Sequence, residues 1–138
     1  MTTRTRENAS RRPGPGRSAA VGVGAGGRGE SVWLAWFLVA TLRRFAPLCR
    51  LRDLHERADE LEARADAFVA AIEERAWDWD RYIRAFYDDG TPLGARGQPE
   101  CEIDVIAQAW SVLSGAADPA RARLSMATAE EHLVDDEH

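Results

Sequence analysis

The stretch WDWDRYIRAFYDDGTPLG, residues 77–94, is where residue types and spacing could do chemistry, because it holds four carboxylates. They are Asp78, Asp80, Asp88 and Asp89. A calcium loop needs oxygen ligands at alternate positions, a glycine at the sixth position and a glutamate at the twelfth. Counted from Asp78, the sixth position is Ile83 and the twelfth is Asp89. The ligand pattern fails, and we predict no metal site.

The adjacent pair Asp88 and Asp89 is a poor match for a general acid and its partner. Glycosidase carboxylates lie roughly 5–10 Å apart across a cleft, whereas the side chains of successive turn residues diverge. Asp-Asp-Gly is a turn signal, because aspartate hydrogen-bonds nearby backbone amides and glycine accepts a positive φ. The flanking residues alternate in the manner of strands. We therefore predict a short β-hairpin over residues 81–94.

Three other chemistries have weak support. The glycine motif G-x-G-x-x-G formed by Gly22, Gly24 and Gly27 has no strand before it and lies in a glycine-rich run, so a dinucleotide site is disfavoured. Cys49 and Cys101 are too few for a disulfide framework and are expected to be buried thiols. All eighteen basic residues are arginine, which excludes a lysine Schiff base.

The charge is distributed unevenly along the chain. Residues 1–29 carry six arginines and one acidic residue, whereas residues 30–138 carry twelve arginines and twenty-two acidic residues. An acidic body argues against nucleic acid as a partner, because phosphate binding needs a basic face. Residues 1–29 are also rich in glycine and poor in apolar residues. We predict a disordered segment over 1–29 and one folded unit over 30–138.

The rest of the chain has the periodicity of helices. A first helix is predicted from Ser31, as its N-cap, to about Ala46, and its apolar residues lie nearly all round it. Pro47 should end it, and an amphipathic helix should follow to Arg75, with apolar positions at Leu51, Leu54, Ala58, Leu61, Ala65, Phe68 and Ile72. A third, apolar helix is predicted over 104–114 and a fourth over 118–134, capped by Asp118 and Pro119. The predicted fold class is all-α with a short β-hairpin.

The apolar run SVWLAWFLVATL resembles a signal peptide or a membrane span in composition. At about a dozen residues it is shorter than the 20 that a bilayer requires, and no small-residue cleavage site follows it. A buried helix is the better interpretation.

Three segments together are similar to a known family. The segments GRGESVWLAWFLVATLRRFAP (27–47), WDWDRYIRAFYDDGTPLG (77–94) and ECEIDVIAQAWSVLSGAADPARA (100–122) resemble the catalytic domain of glycoside hydrolase family 94. That family contains the cellobiose- and chitobiose-type phosphorylases and the phosphorylase-like domain of cyclic β-1,2-glucan synthases. The resemblance covers about residues 21–134 and is most similar to the synthase branch.

The resemblance implies a fold and a reaction. The family domain is an (α/α)6 barrel of alternating inner and outer helices, so the chain would be a fragment of such a barrel. Its enzymes cleave a β-glucosidic bond with inorganic phosphate as co-substrate and with inversion, and they use no cofactor. An aspartate protonates the glycosidic oxygen while phosphate attacks the opposite face of the sugar.

The chain departs from the family where the proton donor is expected. The family's general acid lies in a Gly-Asp-Trp-Asn-Asp-Gly stretch before the Arg-Gly-Glu-Ser segment, where this chain reads RPGPGRSAAVGVGAG (12–26), without aspartate or tryptophan. A downstream sugar- and phosphate-binding segment would lie beyond His138. We therefore expect a fragment that is inactive alone, and we assign no catalytic residue.

Four residues are candidates for facing a sugar cleft, because the family's cleft lies near the loops that precede the inner helices. They are Arg28 and Glu30 before the first helix, and Asp104 and Gln108 at the start of the third. A structural alternative competes for each. Glu30, with its neighbour Ser31, and Asp104 could cap helices, and Gln108 could hydrogen-bond a neighbouring helix.

A second hypothesis is a helical interaction module, because the apolar spacing from Leu51 to Ile72 fits about three heptads. Against it, two alanines occupy the seam. Under the first hypothesis the partner is a β-linked glucan or glucoside of the parent enzyme. The chain itself is expected to be cytoplasmic and without membrane contact, while a synthase parent would be associated with the inner membrane.

Overall fold

The computed structural model describes residues 23–99 and 101–134. Within them lie helices α1 (Val32–Arg50), α2 (His55–Arg75), α3 (Val105–Leu113) and α4 (Pro119–Leu133). The strands, each of two residues, are β1 (Glu30–Ser31), β2 (Trp77–Asp78), β3 (Arg81–Tyr82), β4 (Ala85–Phe86) and β5 (Pro92–Leu93). A mostly helical fold with a small antiparallel sheet is therefore confirmed.

Helices α1 and α2 pack against each other along the predicted apolar seam. Ala58, Leu61, Ala65 and Ile72 are buried on α2, because a period of three and four residues places them on one face. The first two positions of the predicted seam are wrong. Leu51 and Leu54 lie in the turn before α2 and are 80% and 55% exposed.

Pro47 lies inside α1 rather than at its end, so the predicted break is wrong. Proline removes its own N–H donor, which would have bonded to the carbonyl of Arg43, and its ring crowds that carbonyl. Pro47 is exposed, and a carbonyl on that side of a helix can be hydrated instead. The chain reverses six residues after Pro47, where Asp53 adopts a positive φ of 58°.

The predicted hairpin is present and belongs to a larger sheet. Strands β4 and β5 pair around the Asp-Asp-Gly turn, and the Tyr87 N–H donates to the Thr91 carbonyl at 2.8 Å. Strand β1 pairs with the other edge of β4, so that Glu30 lies opposite Phe86. Strands β2 and β3 form a second hairpin. Sequence periodicity missed β1, because its partner is far along the chain.

Helix α3 packs against α1 through aromatic residues. The rings of Trp33 and Trp110 lie 6.5 Å apart, and those of Phe37 and Trp110 meet edge to face at 5.1 Å. Trp36 is fully buried, and its ring meets the Tyr82 ring edge to face with centroids 5.5 Å apart.

Burial of α1 on most sides is not found in this chain. Four of its large apolar residues are 44–53% exposed: Leu34, Phe37, Phe45 and Leu48. The helix pairs α1–α2 and α3–α4 and the contact between α1 and α3 are consistent with part of a helical toroid. The closed sixfold ring stays a prediction.

Helix α1 is the one segment of the described residues that is long and apolar enough to cross a membrane, with 19 residues and a mean hydropathy of 1.3. The helix that contains the apolar run therefore extends beyond the dozen residues counted from the sequence. The core helix of a soluble protein passes the same test, and 33% of this helix's apolar window is buried in the fold.

The predicted disordered segment over 1–29 lies mostly outside the described residues. Residues 23–29 are described and form a turn, in which the Gly27 N–H donates to the Gly24 carbonyl at 2.9 Å. We call residues 24–29 the glycine loop.

Candidate functional site

The four predicted sugar-facing residues lie around the N-terminal ends of α1 and α3. One residue, Arg84, links these two helix ends. Arg84 precedes β4, and its carbonyl accepts from the Val32 N–H at 3.0 Å at the start of α1. Its guanidinium forms an ion pair with Asp104 at the start of α3. Sequence reasoning missed Arg84, because nothing in the local pattern indicates its partner 20 residues away.

Asp104 behaves as the N-cap that the structural alternative proposed. One carboxylate oxygen accepts from the Ile106 N–H at 2.9 Å, and the other receives the Arg84 guanidinium. A helix N-terminus favours a carboxylate because its first amides lack partners. Both oxygens of Asp104 are therefore engaged within the protein. Sugar contact by Asp104 stays a prediction.

Gln108 is fully buried and clamps the backbone of Tyr82. Its Oε1 accepts from the Tyr82 N–H at 2.8 Å, and its Nε2 donates to the Tyr82 carbonyl at 2.8 Å and to the Asp104 carbonyl at 3.0 Å. These hydrogen bonds satisfy the backbone N–H and carbonyl of a strand residue, which a neighbouring strand would otherwise pair. The partner is strand β3 rather than the neighbouring helix that the structural alternative named, and full burial places Gln108 behind the surface rather than on it.

Glu30 lies at the mouth of a groove of about 320 Å³ between α1, α2 and β4. Its carboxylate is 3.5 Å from the Arg75 guanidinium, which lies 5.9 Å from the ring centroid of Phe86. Apolar side chains line most of the floor: Val32, Leu34, Ala35, Leu38, Phe68, Ala71, Ile72 and Ala76. The groove thus combines an apolar floor with a charged rim. Of the four predicted residues, only Glu30 lines it.

Arg28 is exposed in the glycine loop, and the loop is fixed by Asp88. The Asp88 carboxylate accepts from the N–H groups of Gly26, Arg28 and Gly29 at 2.7, 2.6 and 2.9 Å. These amides, together with the Arg28 charge, hold the pKa of Asp88 below its usual range. Asp89 behaves as the turn pattern predicts, since it accepts from the Thr91 N–H.

The other two aspartates of the opening stretch also have structural partners. Asp80 pairs with the Nε of Arg81 at 2.7 Å, and this hydrogen bond lowers the pKa of Asp80. Arg81 is itself buried and donates to the carbonyl of Glu102. Asp78 accepts from the Arg96 N–H at 2.8 Å. The four carboxylates therefore have separate partners within the protein.

A second network ties the C-terminal end of α2 to α4. Glu73 accepts from the Tyr82 hydroxyl at 2.8 Å and from the Asp118 N–H at 2.9 Å, and it pairs with Arg121 at 2.7 Å. Burial and the Glu73 carboxylate raise the pKa of Tyr82 well above its usual range. Tyr82 is thus neutral at pH 7 and serves as a hydrogen-bond donor.

The described residues place charged and aromatic side chains around the apolar groove. Across 23–99 and 101–134, no three histidine, cysteine, aspartate or glutamate side chains are grouped so that they could hold a metal ion. Burial raises the pKa of the Cys101 thiol, so it stays protonated. What the arrangement supplies is a carboxylate, a guanidinium and an aromatic ring around an apolar floor.

The chain is similar to proteins of one known family. The family profile described as the glycosyl hydrolase 94 superfamily, catalytic domain, matches residues 16–137. The chain is 47% identical over 115 residues to the cyclic beta-(1,2)-glucan synthase NdvB of Rhizobium meliloti (strain 1021), covering 83% of the chain and 4% of that protein.

Two phosphorylases of Paenibacillus borealis are also similar. The chain is 34% identical over 100 residues to 3-O-beta-D-glucopyranosyl-beta-D-glucuronide phosphorylase and 38% identical over 103 residues to solabiose phosphorylase. These alignments cover 72% and 73% of the chain and 13% of each relative. The chain therefore spans only a small part of the length of the curated relatives that it matches.

Proposed function

Because the chain belongs to the glycosyl hydrolase 94 superfamily, we propose that it forms part of a catalytic domain that transfers a β-linked glucosyl group to or from phosphate. In this proposal residues 23–134 supply one wall of the sugar cleft. The proton donor is supplied by residues other than those described, and inorganic phosphate is the co-substrate. The similarity to a cyclic glucan synthase favours a β-1,2-linked glucan as the substrate.

The groove at Glu30 is the observation that carries this proposal. Its volume of about 320 Å³ lies at the lower end of the range for small-molecule sites. A sugar ring has hydroxyls at its rim and apolar C–H faces, so it suits a charged rim above an apolar floor. Glu30 can accept from hydroxyls, Arg75 can donate to them, and Phe86 can contact a sugar face.

Binding without turnover is the expected behaviour of the purified chain. We expect a β-1,2-linked glucose disaccharide to shift the backbone amide resonances of Glu30, Arg75 and Phe86 in a concentration-dependent manner. E30Q should weaken that binding at least about threefold, because hydrogen bonds to a charged acceptor are the stronger ones. E74Q is the matched control, since Glu74 is an exposed glutamate of the same helix as Arg75 but does not line the groove.

The same sample tests the expected lack of activity. With inorganic phosphate and β-1,2-, β-1,3- or β-1,4-linked glucose disaccharides, we expect no glucose 1-phosphate. Its appearance would overturn the assignment of the proton donor to other residues. Absence of any shift at the groove with every disaccharide would overturn the role as a cleft wall.

The location of the chain also stays a proposal. We propose a cytoplasmic position for these residues, with α1 packed in the protein, because α1 contributes Trp36 and Val39 to the core with no exposed surface. Mild alkaline extraction of a membrane fraction would release a chain of this kind and retain a spanning one.

A further inference from the structure

The glycine loop is held by one side chain from a distant part of the sequence. Asp88 lies about 60 residues after the loop, yet its two oxygens together accept from three loop amides. The adjacent Asp89 makes only a local bond, to the Thr91 N–H at 2.9 Å. Two neighbouring carboxylates on one turn thus have different roles, and only Asp88 joins the hairpin to the segment before α1.

The glycines of the loop are explained by close approaches at Gly26 and Gly29 and by positive φ values at Gly24 and Gly27. A Cβ added to Gly26 would lie 3.2 Å from the Asp88 carboxylate carbon, and one added to Gly29 would lie 2.2 Å from the backbone nitrogen of Gly24. Gly24 and Gly27 have positive φ values of 80° and 78°, which suit glycine. Successive amides exposed in this way form an anion-binding concavity, and here a carboxylate of the same chain fills it.

The hydrogen bonds from the Asp88 carboxylate to the glycine loop, which we call the clamp, act on the backbone that carries two of the predicted sugar-facing residues. Arg28 lies in the loop, and Glu30 follows directly in β1, which pairs with β4. Asp88 lies in the turn between β4 and β5. The loop is therefore fixed to the hairpin at two points, by strand pairing at Glu30 and by the carboxylate at residues 26–29.

We propose that Asp88 is a positioning residue whose carboxylate holds the glycine loop on the hairpin. Protonation of this carboxylate releases the loop, and with it Arg28 and the backbone that leads to Glu30. That the loop borders a sugar site rests on the proposed function, whereas the clamp is measured without any sugar.

The direction of the pH dependence follows from the groups around the carboxylate. Hydrogen bonds from the amides of Gly26, Arg28 and Gly29, and then the Arg28 charge, lower the pKa of Asp88, while the adjacent Asp89 is the like charge on the same turn. A lowered pKa means that the clamp is fully formed above the ordinary carboxyl pKa of about 3.9. It is lost as the pH falls through the lower pKa of the folded state.

Amide exchange with water in the full chain tests the clamp. At pH 7 we expect D88N to speed exchange at Gly26, Arg28 and Gly29 by roughly fivefold to tenfold, because a neutral amide replaces a charged acceptor. D88E and D89N are controls. D88E should restore part of the protection, and D89N should leave these three amides unchanged. In acid, the unsubstituted chain should lose protection at these amides with the titration of Asp88, and D88N should show no such step.

Several results would overturn the proposal. Equal exchange in D88N and the unsubstituted chain, an equal effect of D89N, or no protection of the three amides in the unsubstituted chain would each do so. Sugar-induced shifts at the groove separate the two proposals. If amide exchange behaves as expected but the chain binds no disaccharide, only the proposed function is contradicted.

Discussion

At the scale of single residues, the local sequence motif fails most clearly to predict the distant partner at the aspartates and at Gln108. The Asp-Asp-Gly pattern correctly predicts the turn and the role of Asp89. It does not indicate that Asp88 reaches residues 26–29, because a side chain's distant partner leaves no mark in its own neighbourhood. Gln108 was expected either to face a cleft or to bond a neighbouring helix, and it bonds a strand.

Replacing Gln108 tests its role as a backbone clamp. Q108A removes the hydrogen-bond partners of the Tyr82 N–H and the Tyr82 carbonyl, and it leaves these two groups buried. We therefore expect the free energy of unfolding to fall by about 3 kcal/mol. Denaturant unfolding followed by far-ultraviolet circular dichroism measures the change.

Q98A is the matched control for this substitution, because Gln98 is a half-buried loop glutamine. We expect Q98A to change the unfolding free energy by less than about 0.5 kcal/mol. An equally small effect of Q108A would mean that water replaces its hydrogen bonds and that the side chain is not a structural clamp.

At the scale of elements, capping signals in the sequence are mostly reliable, since they depend on residues within one turn. Asp118 and Pro119 start α4 as predicted, and the Asp118 carboxylate accepts from the Ala120 and Arg121 N–H groups at 2.9 and 3.0 Å. Ser31 occupies the N-cap position of α1 without a side-chain capping bond. There the tertiary sheet supplies the acceptor, because Arg84 receives the Val32 N–H.

Two alanine substitutions at N-cap positions should therefore differ. D118A should lower the unfolding free energy by about 1 kcal/mol, whereas D118N should retain most of the stability that the cap contributes. S31A should change it by less than about 0.5 kcal/mol, because no capping bond is lost. Thermal and denaturant unfolding of the three variants checks this. A cost for S31A as large as that for D118A would contradict the backbone account of the α1 start.

At the scale of the whole molecule, the apolar seam of α2 is used within the chain. Leu61 is 7% exposed against α1, together with Ala46, Cys49 and Ala58. Leu54, one heptad earlier, is 55% exposed. A coiled-coil module needs both positions in contact with a partner helix, so the intramolecular packing disfavours the interaction-module hypothesis.

A heptad-related pair of substitutions distinguishes the two hypotheses. L61A should lower the unfolding free energy by about 3 kcal/mol, independently of protein concentration, because it leaves a cavity between α1 and α2. L54A should cost less than about 1 kcal/mol, since its side chain is largely exposed. Similar losses for both, with a midpoint that rises with protein concentration, would favour a coiled-coil oligomer.

The sequence by itself determined that four helices form, the hairpin turn, the α2 seam from Ala58 to Ile72 and the family. These depend on residues within a turn or two of one another, or on three ordered segments read together. Only the tertiary structure decided where α1 ends, which strand β1 joins, and which groups the side chains of Asp88, Arg84 and Gln108 contact. The contacts of these three side chains join groups 20 to 62 residues apart, and the buried polar groups among them must find partners wherever the fold brings them together.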